Sequence, residues 1–339
     1  MDSLSTDVWQ YIFELACSES GGRTGSALSR TSKAFRLVFA PVRFRSVRLN
    51  SLKQVEKFLV AYEAAVAEAT VSVNDPPHVR HLLLAFLPGK TDMFVLGPSF
   101  HFRDYHSWQE QKEQWNARFV TLMTRLFDLV SLRLLTMTFL QDLDILLPYV
   151  RCSFPALREL TLLDEDRTFF RVQPMPDYAL EPSNKEFYGA GTPPDKDALA
   201  ANPIFPALER LHLVDGDWET QLPTWTVVAP RLTHLRISSA SEECCGALCS
   251  ALLAAPPKFP SLSTLIVWPY FTKDAVARET HLQSLHGISD TRPEVNIVVF
   301  PVHERGFNEE YWHERLQREW CSRQTWGKGP WVAAEADNA

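Results

Sequence analysis

One short phrase, repeated down the chain, limits the folds open to this sequence more than any other feature. It reads PHVRHLLLAF at 77–86, VSLRLLTMTF at 130–139, PALRELTLLD at 155–164, PALERLHLVD at 206–215, PRLTHLRISS at 230–239 and PSLSTLIVWP at 260–269. PEVNIVVFP at 293–301 is a last, decayed copy. The shared pattern is Pro-x-apolar-x-x-Leu-x-Leu, and a Phe precedes it twice, in Phe154-Pro155-Ala156-Leu157 and Phe205-Pro206-Ala207-Leu208. Proline is tolerated where a strand begins but not within its ladder, and leucines two apart then face one interior. Copies beginning at 206, 230, 260 and 293 are separated by roughly 24 to 33 residues, room for one strand and one helix. Helical stripes fill such gaps: Trp115, Phe119, Leu122, Met123, Leu126 and Phe127 form one, and Cys245, Leu248, Cys249, Leu252 and Leu253 another. Each unit leaves an apolar flank that only its neighbour covers, so the units must stack. The gaps from 77 to 130 and from 155 to 206 are about twice as long and hold an unrecognised repeat or an insertion.

The phrase resembles the strand segment of a leucine-rich repeat, which makes the expected class α/β, an irregular solenoid of one strand and one helix per repeat over 51–302. Residues 167–204, with prolines at 174, 176, 182, 193, 194 and 203, read as a flexible insertion. Residues 101–115 read as a polar, aromatic loop leading into the Trp115 helix. In 303–339, Asn308 opens a helix with Trp312, Leu316 and Trp320 in line, expected to shield the last repeat before a tail with Trp326 and Trp331. On such a scaffold a protein substrate meets the exposed strand positions. The candidates are Arg158, Glu159, Glu209, Arg210, His212, Thr233, His234 and Arg236, those at odd offsets from the buried leucines being favoured.

Residues 1–50 form a separate helical module. Val8, Ile12, Phe13 and Leu15 recur near helical spacing, Gly21-Gly22 breaks the pattern, Leu28, Phe35 and Val38 mark a second segment, and Pro41 ends it. So small a module cannot close its own core and must pack on something else. Leu4-Ser5-x-x-Val8-x-x-x-Ile12-Phe13 followed by Leu28-Ser29-Arg30-Thr31-Ser32-Lys33-x-Phe35-Arg36 resembles an F-box. The run from Gly21-Gly22-Arg23-Thr24 to Ala40-Pro41-Val42-Arg43-Phe44 is similar to F-box-like proteins common in mushroom-forming fungi. Ser5 stands where that family has a proline, and Phe35 where a tryptophan is common. The resemblance implies a non-catalytic substrate receptor, docked through Leu4, Val8, Ile12, Phe13, Leu28 and Phe35 on the Skp-type adaptor of a cullin ubiquitin ligase. The alternative is a repeat scaffold with no ligase role, its opening helices capping the stack.

Charge is unevenly spread. Residues 20–55 carry eight Lys and Arg and no acid, a net +8 that leaves −15 on the rest of a chain totalling −7. A basic strip on an acidic protein steers acidic partners, and Skp-type adaptors are acidic. No stacking aromatics or known motif accompany the strip, so nucleic acid is not an expected partner. No early apolar run follows a basic start and none approaches a membrane span, so a reducing cytoplasmic or nuclear setting and no membrane partner are expected. Phosphate loops, H-E-x-x-H and G-x-S-x-G are all absent, so neither an enzyme nor a cofactor is expected. Cys244-Cys245-x-x-x-Cys249 reads as core and His101-x-x-Asp104-x-His106 as solvated loop, while His78 and His81 fall on opposite strand faces, leaving no expected metal site. Ser51-x-x-Gln54 opens a helix with the stripe Val55, Phe58, Leu59, Tyr62 and Val66.

Overall fold

The computed structural model describes residues 5, 8–9, 11–12, 24, 27, 30–32, 42–72, 76–86, 105–141, 152–163, 200–215, 222–255, 258–270, 275–301, 309–326 and 331. Every copy of the phrase is a strand. In chain order the elements are β1 (Ser46–Leu49), α1 (Leu52–Ser72), β2 (His81–Phe86), α2 (Tyr105–Val130), a 3-10 turn (Ser131–Arg133), β3 (Thr136–Gln141), β4 (Glu159–Leu163) and β5 (Arg210–Val214). They continue with α3 (Leu222–Val228), β6 (His234–Ala240), α4 (Glu242–Leu253), β7 (Thr264–Pro269), α5 (Ala275–Thr291), β8 (Asn296–Val299) and α6 (Glu309–Trp326). The fold is α/β, built on a single eight-stranded parallel sheet whose strands lie in chain order, β1 to β8. β2 pairs directly with β3 and β4 with β5, so the two long gaps put no extra strand into the sheet and are insertions. Of the 167–204 segment, only 200–204 belong to the described residues.

The proline that opens five of the copies has a local cause. The Phe154 carbonyl accepts from Leu157 N at 3.2 Å, and the same turn recurs from Phe205 to Leu208, Ala229 to Leu232, Phe259 to Leu262 and Arg292 to Val295. Pro155, Pro206, Pro230, Pro260 and Pro293 therefore occupy the second position of a β-turn, where a fixed φ near −65° is already correct. Beyond the turn one carbonyl serves two donors of the next strand: Leu135 O takes Arg158 N and Glu159 N, and Arg158 O takes Glu209 N and Arg210 N.

Register aligns the side chains in rows. Val47, Leu82, Met137, Leu160, Leu211, Leu235, Leu265 and Ile297 form one row, and Leu49, Leu84, Phe139, Leu162, Leu213, Ile237, Val267 and Val299 form another. Both face a core shared with α1 to α5. At the turns Phe154 stacks on Phe205 at 5.5 Å, and Phe205 on Trp225 at 6.0 Å, Trp225 lying beside the position where the copy has only Ala229. The α1 start is as expected: Ser51 Oγ accepts from Gln54 N at 3.3 Å, and Gln54 Oε1 accepts from Asn50 N at 2.8 Å. Residues 105–115, expected as loop, belong to α2; they contain no Gly or Pro and are rich in Glu, Gln and Lys, which sustain a helix. Leu253, placed on the α4 stripe, is exposed, while Cys244 and Cys245 are buried in the core. No described helix is long and apolar enough to cross a membrane.

Candidate functional site

The second face of the sheet carries the site. Its rows are Ser46, His81, Thr136, Glu159, Arg210, His234, Thr264 and Asn296, then Arg48, Leu83, Thr138, Thr161, His212, Arg236, Ile266 and Val298. A third runs through Ala85, Leu140, Leu163, Val214, Ser238 and Trp268. Parallel register brings the expected substrate residues together on β4 to β6: Glu159, Arg210 and His234 lie side by side, as do His212 and Arg236. Arg158 and Glu209 are exposed just before them, with Thr233 half-buried.

That face is occupied. The expected end cap, α6, lies instead against the middle of the sheet, where Trp312, Leu316 and Trp320 close a second core over Leu83, Ala85, Leu140, Leu163 and Val214. Positions i, i+4 and i+8 fall along one side of a helix. On α6's flanks Arg48 of β1 donates to Gln317 Oε1 at 2.5 Å and Arg236 of β6 to Glu319 Oε1 at 3.4 Å. β1 and β6 are five strand spacings apart, about 24 Å if flat, whereas a helix is about 10–12 Å across. The long side chains of Arg48 and Arg236 bridge the remaining width, and α6 lies in the trough they wall.

Glu159, His212 and Arg236 are in consequence buried, while Arg210 and His234 stay half-buried. The sequence signal for this cover was Leu82–Phe86, apolar at both strand parities, which describes a strand buried on both faces. The α6 residues that hold the trough, Gln317, Glu319, Arg323 and Arg315, were not among the expected site residues.

Four arginines share two carboxylates here. Glu159 takes Arg210 Nη1 at 3.2 Å and Arg323 Nη1 at 3.3 Å, and Arg323 also reaches Thr161 Oγ1 at 3.3 Å. Glu319 takes Arg315 Nε at 3.0 Å besides Arg236, and the Arg315 guanidinium sits 4.4 Å above the Trp268 ring. His212 lies fully buried among them. Burial, then Arg236, Arg323 and Arg315, push its pKa well below the usual imidazole value, so it is neutral. Its Nε2 is 2.9 Å from Ser238 Oγ, and its Nδ1 has no partner. Trp331 meets the His212 and His234 rings edge-on, at 6.4 and 6.1 Å. Next to Ser238 the β6–β7 register slips at Ser239, whose φ of 61° is the left-handed conformation of a bulge, one that glycine adopts without cost.

For the opening module, Val8 and Ile12 are helical and exposed, at 42% and 38%, and Tyr11 between them is 62% exposed. Leu4, Phe13, Leu28 and Phe35 lie outside the described residues, as do His101 and Asp104. Among the described residues no group of three His, Cys, Asp or Glu could hold a metal ion. In comparisons with known proteins the chain matches no family model, no curated protein and no solved structure.

Proposed function

We propose that the chain is the substrate receptor of a Skp–cullin–F-box ubiquitin ligase. Its opening helices dock the adaptor, and a leucine-rich-repeat-like solenoid presents a protein substrate, in cytoplasm or nucleus. The observation that carries the reading is the exposure of Val8, Tyr11 and Ile12, large apolar side chains on helical residues. Fully burying one such side chain contributes roughly 1.5–3 kcal/mol, so a few of them account for a stable docking contact. The F-box-like spacing of these residues and the basic strip that follows them support an acidic adaptor as the partner. A sheet in strict chain order, with α1 to α5 all on one face, supports the repeat reading.

The test mixes the purified chain with a Skp-type adaptor and measures the complex by calorimetry. A stable complex is expected, and Ile12→Asp should weaken it at least about 100-fold, because a buried unpaired carboxylate costs more than the isoleucine contributes. Leu28→Asp should act likewise. No complex with the unaltered chain, or equal binding by Ile12→Asp, overturns the reading. The filled trough favours the second reading, a closed repeat scaffold with no ligase role, and absence of the complex would favour it over the first.

A further inference from the structure

We propose that the trough of the sheet is a receptor for an amphipathic helix of a partner protein, and that α6 is its tethered, displaceable occupant. This deepens the substrate-receptor reading and rests on it for the identity of the partner as substrate.

Three observations lead there. First, α6 joins the molecule through a core of its own. Trp312, Leu316 and Trp320 meet only the second face, in a cluster separate from the one that unites the eight strands with α1 to α5. The helix can leave without opening the main core. Second, the polar fit beneath α6 is incomplete. His212 Nδ1, Thr138 Oγ1, Glu319 Oε2, Trp320 Nε1 and Arg323 Nε are all buried in or beside the trough without a partner. Burying such groups unpaired disfavours the closed state and leaves room for a better-matched ligand. Third, the fixed walls define the ligand. The apolar floor of Leu83, Leu140, Leu163 and Val214 accepts large side chains at i, i+4 and i+8. Arg236 accepts a carboxylate at i+7, where α6 has Glu319, and Glu159 accepts a cation at i+11, where α6 has Arg323.

The ligand class is thus a helix reading large-x3-large-x2-acid-large-x2-base, laid into a groove in the manner of other helix-in-groove complexes. Because α6 is on the same chain, it competes at high effective concentration, and an outside helix enters only when it fits better or when α6 is released.

The experiment uses the full chain with a protease site inserted between residues 302 and 308, cleaved after folding, and a fluorescein-labelled peptide of residues 309–326. Fluorescence anisotropy should show the peptide binding the cleaved chain at least ten-fold tighter than the uncleaved one. A peptide with lysine in place of Glu319 should bind at least ten-fold more weakly than the natural one. In the uncleaved chain Leu316→Asp should admit the natural peptide as cleavage does, with the far-ultraviolet circular dichroism of the sheet retained. The proposal is overturned if the cleaved chain holds α6 against excess peptide over a day, if the two peptides bind alike, or if Leu316→Asp unfolds the sheet. Adaptor binding measured on the same preparations separates the two readings. Failed exchange with a normal adaptor complex sinks only the helix receptor, and exchange with no adaptor complex sinks only the ligase role.

Discussion

His212 and His81 are held neutral by the same physics, and both make the fold sensitive to acid. Burial, then Arg45 and Arg80, lower the His81 pKa to about 4, and burial among three arginines takes His212 well below the usual 6.5. His78 and His234 are lowered too, chiefly by burial, and act in the same sense. An unfolded chain protonates these imidazoles near pH 6.5, while the folded chain leaves His81 neutral down to about 4. Their stabilisation is therefore complete above 6.5 and is lost as pH falls through that value toward 4. His81 and His212 alone bring the slope up toward about 2.7 kcal/mol per pH unit as pH falls to 5, two protons at 1.36 each once the unfolded imidazoles are charged. Urea melts at pH 8, 7, 6 and 5 should show that loss, and His212→Gln, which retains a donor toward Ser238, should lower the slope by up to about 1.4 kcal/mol per pH unit, one proton's share. A flat profile across this range would mean that neither imidazole is shielded. Glu56 and Glu294, lowered by their hydrogen bonds to Arg118 and Arg292, act only at more acidic pH and leave the window to the histidines.

At the scale of the element, the unit is a proline turn feeding a strand. In Phe205-Pro206-Ala207-Leu208 the Leu208 N to Phe205 O bond is 3.2 Å and does not involve the proline nitrogen. Pro206→Ala should therefore keep the turn and lower stability by about 0.4–1 kcal/mol, because the unfolded chain gains freedom at that position. Pro293→Ala, at the turn before β8, should cost a similar amount. Three strand spacings separate the two sites, about 14 Å, so the double variant should show the sum. The urea midpoint would shift at an unchanged m value, and a loss above about 2 kcal/mol for either single change would mean that the turn itself depends on its proline. These turns also explain why the strands were legible: the proline, the turn residues and the period-two leucines are all local, and each copy states them afresh. Insertion could not be told from an extra repeat at 77–130 or 155–206, since only the pairing of β2 with β3 and of β4 with β5 decides it. The place of α6 was less legible still. Trp312, Leu316 and Trp320 declare one apolar side but not the surface that receives it. The apolar run of β2, which called for cover on both faces, named no partner. Glu159, Arg210, His212, His234 and Arg236 could be placed together from register alone, whereas their burial depends on a helix more than eighty residues further along the chain.

The whole molecule is a row of units whose strands each pair only with the next, so its stability need not be uniform along the row. The two ends differ. β1 is an edge strand with Val47 and Leu49 buried and Arg48 tied to Gln317 of α6. β8 has Asn296 exposed and Ile297, Val298 and Val299 only part-buried. Between them, β4 to β6 are covered by the shared helix-side core on one face and by α6 and its ion pairs on the other. Opening should begin at β8 together with α5, the helix leading into it, and progress toward the middle. Pro293 and Pro301 bracket β8 and limit the addition of a foreign strand at that edge, so local opening there need not lead to aggregation. Amide hydrogen exchange followed by mass spectrometry should find the slowest exchange in Leu160–Leu163, Leu211–Val214 and Leu235–Ile237, and the fastest strand amides in Ile297–Val299. The middle strands should lose part of that protection in Leu316→Asp, whose effect on β8 should be small because α6 packs on the other strands. Equal protection from β1 to β8 would mean that the sheet opens as a single cooperative unit, with α6 an integral part of it rather than a separable cover.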